Sequence, residues 1–214
     1  MAEAEVSGPL NPKSEARTIR GPTIKTVEEP EPVQMRTRLA IYNFGMFREP
    51  ADSAVNQGFR DLETPNFLAA ERAVGFVGRA GYADESGPPS WGEQVYPRFY
   101  VERGDGGSPS TLSLWQSLEC LFAFAYSGIH AEAIRRASDW FVEKQWPAYV
   151  LWWAEGIPDW RQAVMRFERL HDRGPSPEAF NFKTPFDQHG APTAIDREAV
   201  RRLVYKNQWR VESQ

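Results

Sequence analysis

The sequence predicts an α+β fold of the ferredoxin-like type: an antiparallel sheet in the order βαββαβ, helices on one face, and extra helices towards the C-terminus. Two observations support this prediction. Short alternating apolar runs, typical of strands, and longer runs of helical periodicity succeed one another between positions 36 and 186. Residues 111–153 then show a strand pattern, a helix pattern and a second strand pattern in one continuous stretch, which matches the second half of such a fold.

The first strand and the first helix are predicted within residues 36–79. Residues 36–44 alternate, with Leu39 and Ile41 on one side, and a period of two is the pattern of a strand. Residues 53–79 are polar at first and then apolar. Pro65 lacks an amide donor and clashes with the preceding turn, so we expect the regular part of this helix to begin near it.

A β-hairpin is predicted next. Residues 81–91 are rich in turn formers, residues 94–102 alternate like a strand, and residues 110–115 have the pattern of the following strand. Asp105-Gly106 can supply the positive φ angles of a tight turn. The two strands are therefore expected to be adjacent and antiparallel.

The longest helix is predicted at 117–141. Ser117 is a suitable N-cap, and glycine at position 128 costs about 1 kcal/mol in a helix interior, so an irregularity is expected just before His130. Residues 148–154 are apolar on both faces, which predicts a last strand that is covered on both sides.

A further helix and an extension follow the last strand. Asp159 is placed to cap a helix that stops at Gly174. An extended segment follows, with phenylalanines at 180, 182 and 186 as anchors. Residues 196–205 predict a short amphipathic helix at most.

Composition limits the class of protein. The 214 residues are 41% hydrophobic, and no apolar run approaches the length of about 18 residues that a membrane span needs. The formal net charge of -4, without a basic stripe, argues against nucleic acid as a partner. With no hydrophobic leader segment we expect a cytoplasmic protein without membrane association.

Three regions are expected along the chain. Residues 1–34 hold almost no large apolar side chains and are predicted to be a disordered tail. Residues 35–186 are expected to form the α+β domain, and residues 187–214 a C-terminal extension.

Several kinds of site are excluded by the residue types. The single cysteine, Cys120, cannot form an internal disulfide framework or a cysteine-cluster metal site. The three histidines, His130, His171 and His189, have no metal-ligand spacing. We therefore expect neither a metal nor a cofactor, with haem as the one alternative.

His130 is the candidate catalytic residue, with Tyr126 as its partner. The two lie four residues apart on the apolar side of the predicted long helix, one above the other. A neutral imidazole can move a proton at physiological pH, so His130 would act as acid or base while Tyr126 orients or polarises it. Two other interpretations stay open: a packed core histidine satisfied by Tyr126 or a backbone carbonyl, and the axial ligand of a haem.

Aromatic side chains accompany this pair. Trp152 and Trp153 are neighbours on a strand, so at least one of them must face away from the helices. As pocket walls such residues suit a planar or hydrophobic substrate, whereas as core or dimer packing they imply none. The predicted substrate-binding residues are the aromatic Trp115, Phe122, Trp140, Trp152 and Trp153 and the polar Tyr42, Asn43 and Arg98.

A set of motifs resembles one known family. The motifs are LSLW at 112–115, Phe124 and Tyr126, His130 with IRR at 134–136, WF at 140–141, LWW at 151–153 and RFERLHDRGPSPEAFNF at 166–182. In order and spacing they resemble the family called domain of unknown function 3291, which is grouped with the dimeric α/β barrel superfamily. The resemblance implies a homodimer, in a superfamily that includes cofactor-free monooxygenases acting on polyketides, small decarboxylases and isomerases, and haem enzymes.

Two classes of function are open. The first is a small-molecule tailoring enzyme of the dimeric α/β barrel type that performs cofactor-independent proton transfer or monooxygenation on a hydrophobic or aromatic substrate. The second is a non-catalytic ligand-binding or dimeric assembly module. An enclosed cavity reached by both His130 and Tyr126 favours the first class. A homodimer is expected in both, because helices on one face leave the other face of the sheet bare.

Overall fold

The structure, a computed structural model, describes residues 37–83, 85–102 and 108–212. The tail predicted at 1–34 and the turn predicted at Asp105-Gly106 lie outside the described residues. The elements are β1 (Arg38–Phe44), a 3-10 turn (Ala54–Asn56), α1 (Gln57–Arg72), β2 (Phe76–Arg79), β3 (Ser110–Trp115), α2 (Leu118–Ala125), α3 (Gly128–Trp140), β4 (Tyr149–Ala154), α4 (Trp160–Arg173) and α5 (Arg197–Glu212).

The four strands form one antiparallel sheet in the order β2-β3-β1-β4. β1 lies between β3 and β4, and its Leu39 is opposite Trp115 on one side and Trp153 on the other. Helix α1 connects β1 to β2, and helices α2 and α3 connect β3 to β4. This arrangement is the ferredoxin-like α+β fold, which confirms the predicted fold class.

The second strand is not where its pattern was expected. Residues 94–102 form no strand, and β2 is instead the short segment that follows α1. The apolar residues of 94–102 pack against the core as an irregular segment, among them Phe99 and Tyr100. Pro97 cannot donate to a strand ladder, and its carbonyl accepts a turn hydrogen bond from the Tyr100 amide at 2.8 Å. The predicted hairpin between 94–102 and β3 is therefore wrong.

Helix α1 begins well before Pro65, at Gln57, so the expected start near the proline is also wrong. Phe59, in the first turn of α1, packs edge-on against Trp140 with ring centroids 5.8 Å apart and against Phe141 at 5.6 Å. Because these tertiary contacts hold the turns that precede the proline, the helix continues through it.

The long helix predicted at 117–141 is interrupted where its glycine lies. α2 ends at Ala125, and α3 starts at Gly128, whose φ of 55° is a left-handed conformation that glycine adopts readily. Ser117 caps α2 as predicted, since its hydroxyl accepts a hydrogen bond from the Cys120 amide at 3.2 Å.

The two last helices differ from each other in how well they were predicted. Asp159 caps α4 by accepting from the Gln162 amide at 2.7 Å, and Gly174 follows the helix with a φ of 73°, both as expected. α5 is longer than the short helix predicted at 196–205. It packs on α1 and α2, where Asn207 accepts a hydrogen bond from the Val74 amide at 2.9 Å.

The sheet is covered on both faces. α1, α2 and α3 lie on the face that carries Leu39 and Ile41, as the ferredoxin-like order predicts. The additional helix α4 lies on the opposite face, against Ala40, Tyr42 and Phe44. The apolar face that was expected to need a second copy is thus covered by the chain itself. The homodimer stays a prediction, but a bare sheet face no longer supports it. Among the described residues no helix combines the length and the hydropathy that crossing a membrane requires.

Candidate functional site

A cavity of about 370 Å³ lies between the sheet and the helices α1 and α3. Its floor consists of strand residues, Ile41 and Asn43 from β1 and Thr111 and Ser113 from β3. The aromatic residues around it include Phe59, Phe67, Phe76, Trp115, Phe124, Trp140, Phe141, Tyr149 and Phe182. A mainly apolar cavity of this size that holds a few polar groups is the usual form of a small-molecule site.

A second concavity, of about 540 Å³, is an open groove on the outer side of α4. Its charged residues are already paired or solvated, as Arg169 is with Glu178 at 3.1 Å. It contains no histidine and no aromatic wall apart from Tyr96. The cavity under α1 and α3 is therefore the better candidate, although the groove is larger.

His130 lies on the cavity wall, and a hydrogen bond at the helix break determines its tautomer. Its Nδ1 lies 2.9 Å from the carbonyl oxygen of Ala125. Ala125 is the last residue of α2, where carbonyls lack partners within the helix. Since a carbonyl only accepts, Nδ1 must carry the hydrogen, and in the neutral ring Nε2 keeps its lone pair.

The environment of His130 favours that neutral form. Burial lowers the pKa of His130 from its ordinary value of 6.5, and the hydrogen bond to Ala125 offsets this only in part. The ring also packs against Phe124, with centroids 4.8 Å apart. At neutral pH the site therefore presents an uncharged imidazole that is available as a base.

Tyr126 also lines the cavity, but it does not lie above His130. The helix ends between them, so the expected spacing on one continuous helix is wrong. The Tyr126 ring instead packs against Phe122 at 4.5 Å and Phe182 at 5.9 Å, and 46% of the residue is exposed. Burial raises the pKa of the neighbouring Tyr149, and the hydroxyl group of Tyr126 adds to this rise. The catalytic role of Tyr126 stays a prediction.

The structure brings five of the predicted residues together around the cavity: His130, Tyr126, Trp115, Trp140 and Asn43. Trp115 and Trp140 are buried, at 1% and 2% exposure. Both tryptophans therefore belong to the buried part of the cavity wall.

The other five predicted residues do not line the cavity, which corrects their expected position. Tyr42 and Trp152 point to the α4 face, because side chains alternate along β1 and β4. Trp153 faces the cavity side but is covered by the following chain, and its indole donates to the Phe186 carbonyl at 2.8 Å. Phe122 packs on Phe182 at 5.0 Å.

Arg98, the last of these five, lies at the surface. Its guanidinium donates to Asp172 at 2.9 Å and lies 3.5 Å from Glu168. It was expected on a strand, but its segment forms none. The pairing with α4 explains its position on the opposite side of the sheet from the cavity.

Among the polar cavity residues that the sequence did not predict, four carry a charge or an amide: Glu63, Asn66, Arg79 and Lys144. Burial and the nearby Glu85 raise the pKa of Glu63, and Arg79 partly offsets this. Arg79 is paired with Glu71 at 3.0 Å. Two of these residues could have been found from the sequence. Glu63 and Asn66 are polar and lie three residues apart on the inner side of the amphipathic helix α1.

Lys144 comes from the loop between α3 and β4. Its ammonium lies 5.8 Å from the centre of the Phe141 ring. Desolvation at the cavity rim lowers the pKa of Lys144, although the residue as a whole is exposed. No periodicity could have identified a loop lysine. Within the described ranges no cluster of histidine, cysteine and acidic side chains is arranged to hold a metal ion.

Fold and cavity together define a ferredoxin-like α+β protein with an internal site of small-molecule size. The chain belongs to the family described as domain of unknown function 3291, whose model matches residues 38–197. This confirms the resemblance of the sequence motifs. Comparisons with curated proteins and with solved structures found no match.

Proposed function

We propose that this protein is a small-molecule enzyme in which neutral His130 transfers a proton to or from a hydrophobic or aromatic substrate held between the sheet and α1 and α3. One observation carries the proposal. The imidazole on the cavity wall has its tautomer set by the 2.9 Å contact to the Ala125 carbonyl, which makes Nε2 the basic atom.

The proposed step needs only groups of this chain and the substrate. Nε2 accepts a proton from an activated C–H or O–H bond, and the electron pair of that bond stays on the substrate as an enolate or phenolate. The hydrogen on Nδ1 stays there and is donated to the Ala125 carbonyl oxygen, which stabilises the imidazolium that forms. Return of the proton to another atom gives isomerisation. Reaction of the same carbanion with dioxygen starts cofactor-independent monooxygenation, in which the substrate is oxidised, one oxygen atom is inserted and the other leaves as water.

The polar atoms of the cavity support a substrate that carries hydrogen-bonding groups. Asn66 Oδ1 is buried and makes no hydrogen bond within the described residues. Buried polar atoms in proteins are nearly always paired. A hydroxyl or amine of a bound molecule would satisfy it, with Asn43 on the floor as a second polar contact.

The size of the cavity limits the alternatives. At about 370 Å³ it lies near the lower end of the range for small-molecule pockets, about 300–1,000 Å³. This suits a molecule of one to three rings better than a haem macrocycle. His130 is therefore proposed as a base and not as an iron ligand.

Binding in the cavity is tested with N-phenyl-1-naphthylamine, a neutral probe that fluoresces in apolar surroundings. The full chain should bind it, and Ala133→Trp, which fills the cavity from α3, should abolish binding. Ala131→Trp, on the same helix but outside the cavity lining, is the matched control. Equal binding by wild type and Ala133→Trp would contradict the cavity assignment.

Base catalysis is tested with 5-nitrobenzisoxazole, a neutral planar probe. A base removes its C3 proton, the C–H electrons form the nitrile, and the N–O bond breaks to give a coloured phenolate. His130→Gln should lower the rate by about 10²-fold or more, the usual contribution of a general base, while His171→Gln should not. If the probe binds but both variants equal the wild type, the site is a binding module without a catalytic histidine.

A further inference from the structure

We infer that the natural substrate is an elongated aromatic or hydrophobic carboxylate, with its apolar body along the cavity and its carboxylate held by Lys144 at the end opposite His130. This inference rests on the proposed function and adds the chemical class of the substrate to it.

The cavity is elongated, because its lining follows α3 from end to end. His130 lies in the first turn of α3, and Trp140 is the last residue, ten positions later, which corresponds to about 15 Å along the axis. The loop that follows contributes Lys144 to the same lining.

The floor of the cavity has the same extent. Trp115 and Thr111 both line it and are four residues apart on β3, about 13 Å along the strand. Trp115 stacks on Phe124 at 5.1 Å, and Phe124 contacts His130, so this end holds the imidazole. Thr111 is opposite Asn43, the polar end of the floor.

Lys144 lies at the end of the cavity that is marked by Thr111 and Asn43. Tyr149, which starts β4, is paired with Asn43, and Lys144 precedes it in the loop that closes the cavity there. The loop begins with Phe141, whose ring stacks on Phe47 at 5.2 Å. A molecule that reaches from His130 to Lys144 therefore runs parallel to α3 and to the strands.

The charges of the lining leave one cation without compensation. Arg79 is neutralised by Glu71 at 3.0 Å and covers the Phe67 ring at 4.0 Å. Burial and Glu85 raise the pKa of Glu63, and no ion pair of the described residues joins this carboxyl to Lys144. Within the described residues Lys144 forms no ion pair.

An unpaired ammonium at the rim of an apolar cavity is a favourable binding point for an anion. Desolvation without a partner costs free energy, and a bound carboxylate would remove that cost by a charge-assisted hydrogen bond. Asn43 and Thr111 on the adjacent floor provide neutral donors for the second carboxylate oxygen. A neutral ligand of the same shape would leave the ammonium unpaired.

The test compares two ligands of equal shape, biphenyl-4-carboxylate and 4-biphenylmethanol, as competitors of N-phenyl-1-naphthylamine. The wild-type chain should bind the carboxylate at least about tenfold more tightly, the factor that one charge-assisted hydrogen bond supplies. Lys144→Met, which keeps the length of the side chain, should remove this preference. Lys144→Arg should keep most of it, and the exposed Lys183→Met should keep all of it.

The outcomes separate this inference from the proposed function. The naphthylamine and 5-nitrobenzisoxazole are neutral and report on the cavity and on His130. Suppose that both assays succeed. If the wild type then does not prefer the carboxylate, or if Lys144→Met keeps that preference, only the carboxylate inference is overturned. If the naphthylamine does not bind to the wild type, the cavity assignment fails and the inference fails with it.

Discussion

The two faces of the sheet are built from the same strands but are filled in opposite ways. On the α4 face, Tyr42, Leu112 and Val150 are each 0% exposed, and the layer is closed by aromatic packing. On the other face, Asn43 and Thr111 remain partly exposed over a cavity. They are the direct chain neighbours of Tyr42 and Leu112. Alternate residues of one strand thus serve as structural core and as the floor of a cavity.

The helices account for the difference. α4 is a continuous helix that presents large residues to the sheet, with Trp160 and Phe167 both at 0% exposure. On the cavity side α3 presents the small residues Ala133 and Ala137. Small side chains opposite a polar floor leave a hollow, whereas large ones opposite an apolar floor fill the space. The sheet therefore has a closely packed layer on the α4 face and the cavity on the other face.

The largest expected difference between the faces concerns a large aromatic residue on each. Phe167→Ala should lower the free energy of unfolding by about 3–5 kcal/mol, since the ring is fully buried and lies 5.4 Å from Tyr42 and 6.2 Å from Phe44. Phe67→Ala, on the cavity wall and half-buried, should cost no more than about 2 kcal/mol. Urea denaturation measures both. Equal losses would show that the two faces are packed alike.

The next comparison enlarges a small residue on each face. Ala163→Leu adds volume to the closed layer, where position 163 is 0% exposed, and overpacking should cost about 1–3 kcal/mol. Ala133→Leu adds the same group to the cavity and should be nearly neutral for stability while weakening naphthylamine binding. A large loss of stability from Ala133→Leu would mean that the cavity is not open space.

The fold could be predicted from local signals wherever these agree with the tertiary structure. β1, β3 and β4 have apolar patterns that the sheet uses directly, and the caps Ser117 and Asp159 mark true helix starts. β2 could not be found, because four residues carry too little periodicity. The alternation in 94–102 arises from packing of an irregular segment against the α4 face, which periodicity cannot distinguish from a strand.

The site was predictable only in part. His130 and Trp140 were identified because they lie on the apolar side of a helix that does cover the sheet. Glu63 was missed because α1 was expected to begin after it, and Lys144 because it comes from a loop. The cavity itself is a space between elements, and no sequence pattern shows which of two apolar faces is left hollow.

The third comparison concerns the glycine that interrupts the helical layer over the cavity. Gly128 and Gly174 both have positive φ, at 55° and 73°, and an added Cβ meets no atom within 4 Å at either. Gly128→Ala should cost about 1–2 kcal/mol from backbone strain alone, and Gly174→Ala at least as much. Only Gly128→Ala should slow the turnover of 5-nitrobenzisoxazole, because only that glycine places His130 against Ala125. Unchanged turnover would contradict the role of the break.

The smallest expected effect is a pH dependence of the free energy of unfolding, which arises from His130 on the cavity face. Since burial lowers the pKa of His130 below 6.5, the unfolded chain binds this proton more readily than the folded chain does. Stability rises with pH where the unfolded state holds more protons, so the contribution of neutral His130 is complete above about pH 6.5 and is lost as the pH falls towards the lowered pKa. The difference in unfolding free energy between wild type and His130→Gln should therefore shrink on acidification and stay constant above pH 6.5.

Urea titrations at a series of pH values measure this difference, with His171→Gln in parallel as a substitution on the packed face, where His171 contacts Phe99 at 4.8 Å. A difference that grows on acidification would mean that the folded state favours the imidazolium. The pKa of His130 in the folded state would then lie above 6.5 instead of below it, which would favour a role for His130 as an acid. The direction of this small effect thus decides which way the proton first moves in the cavity.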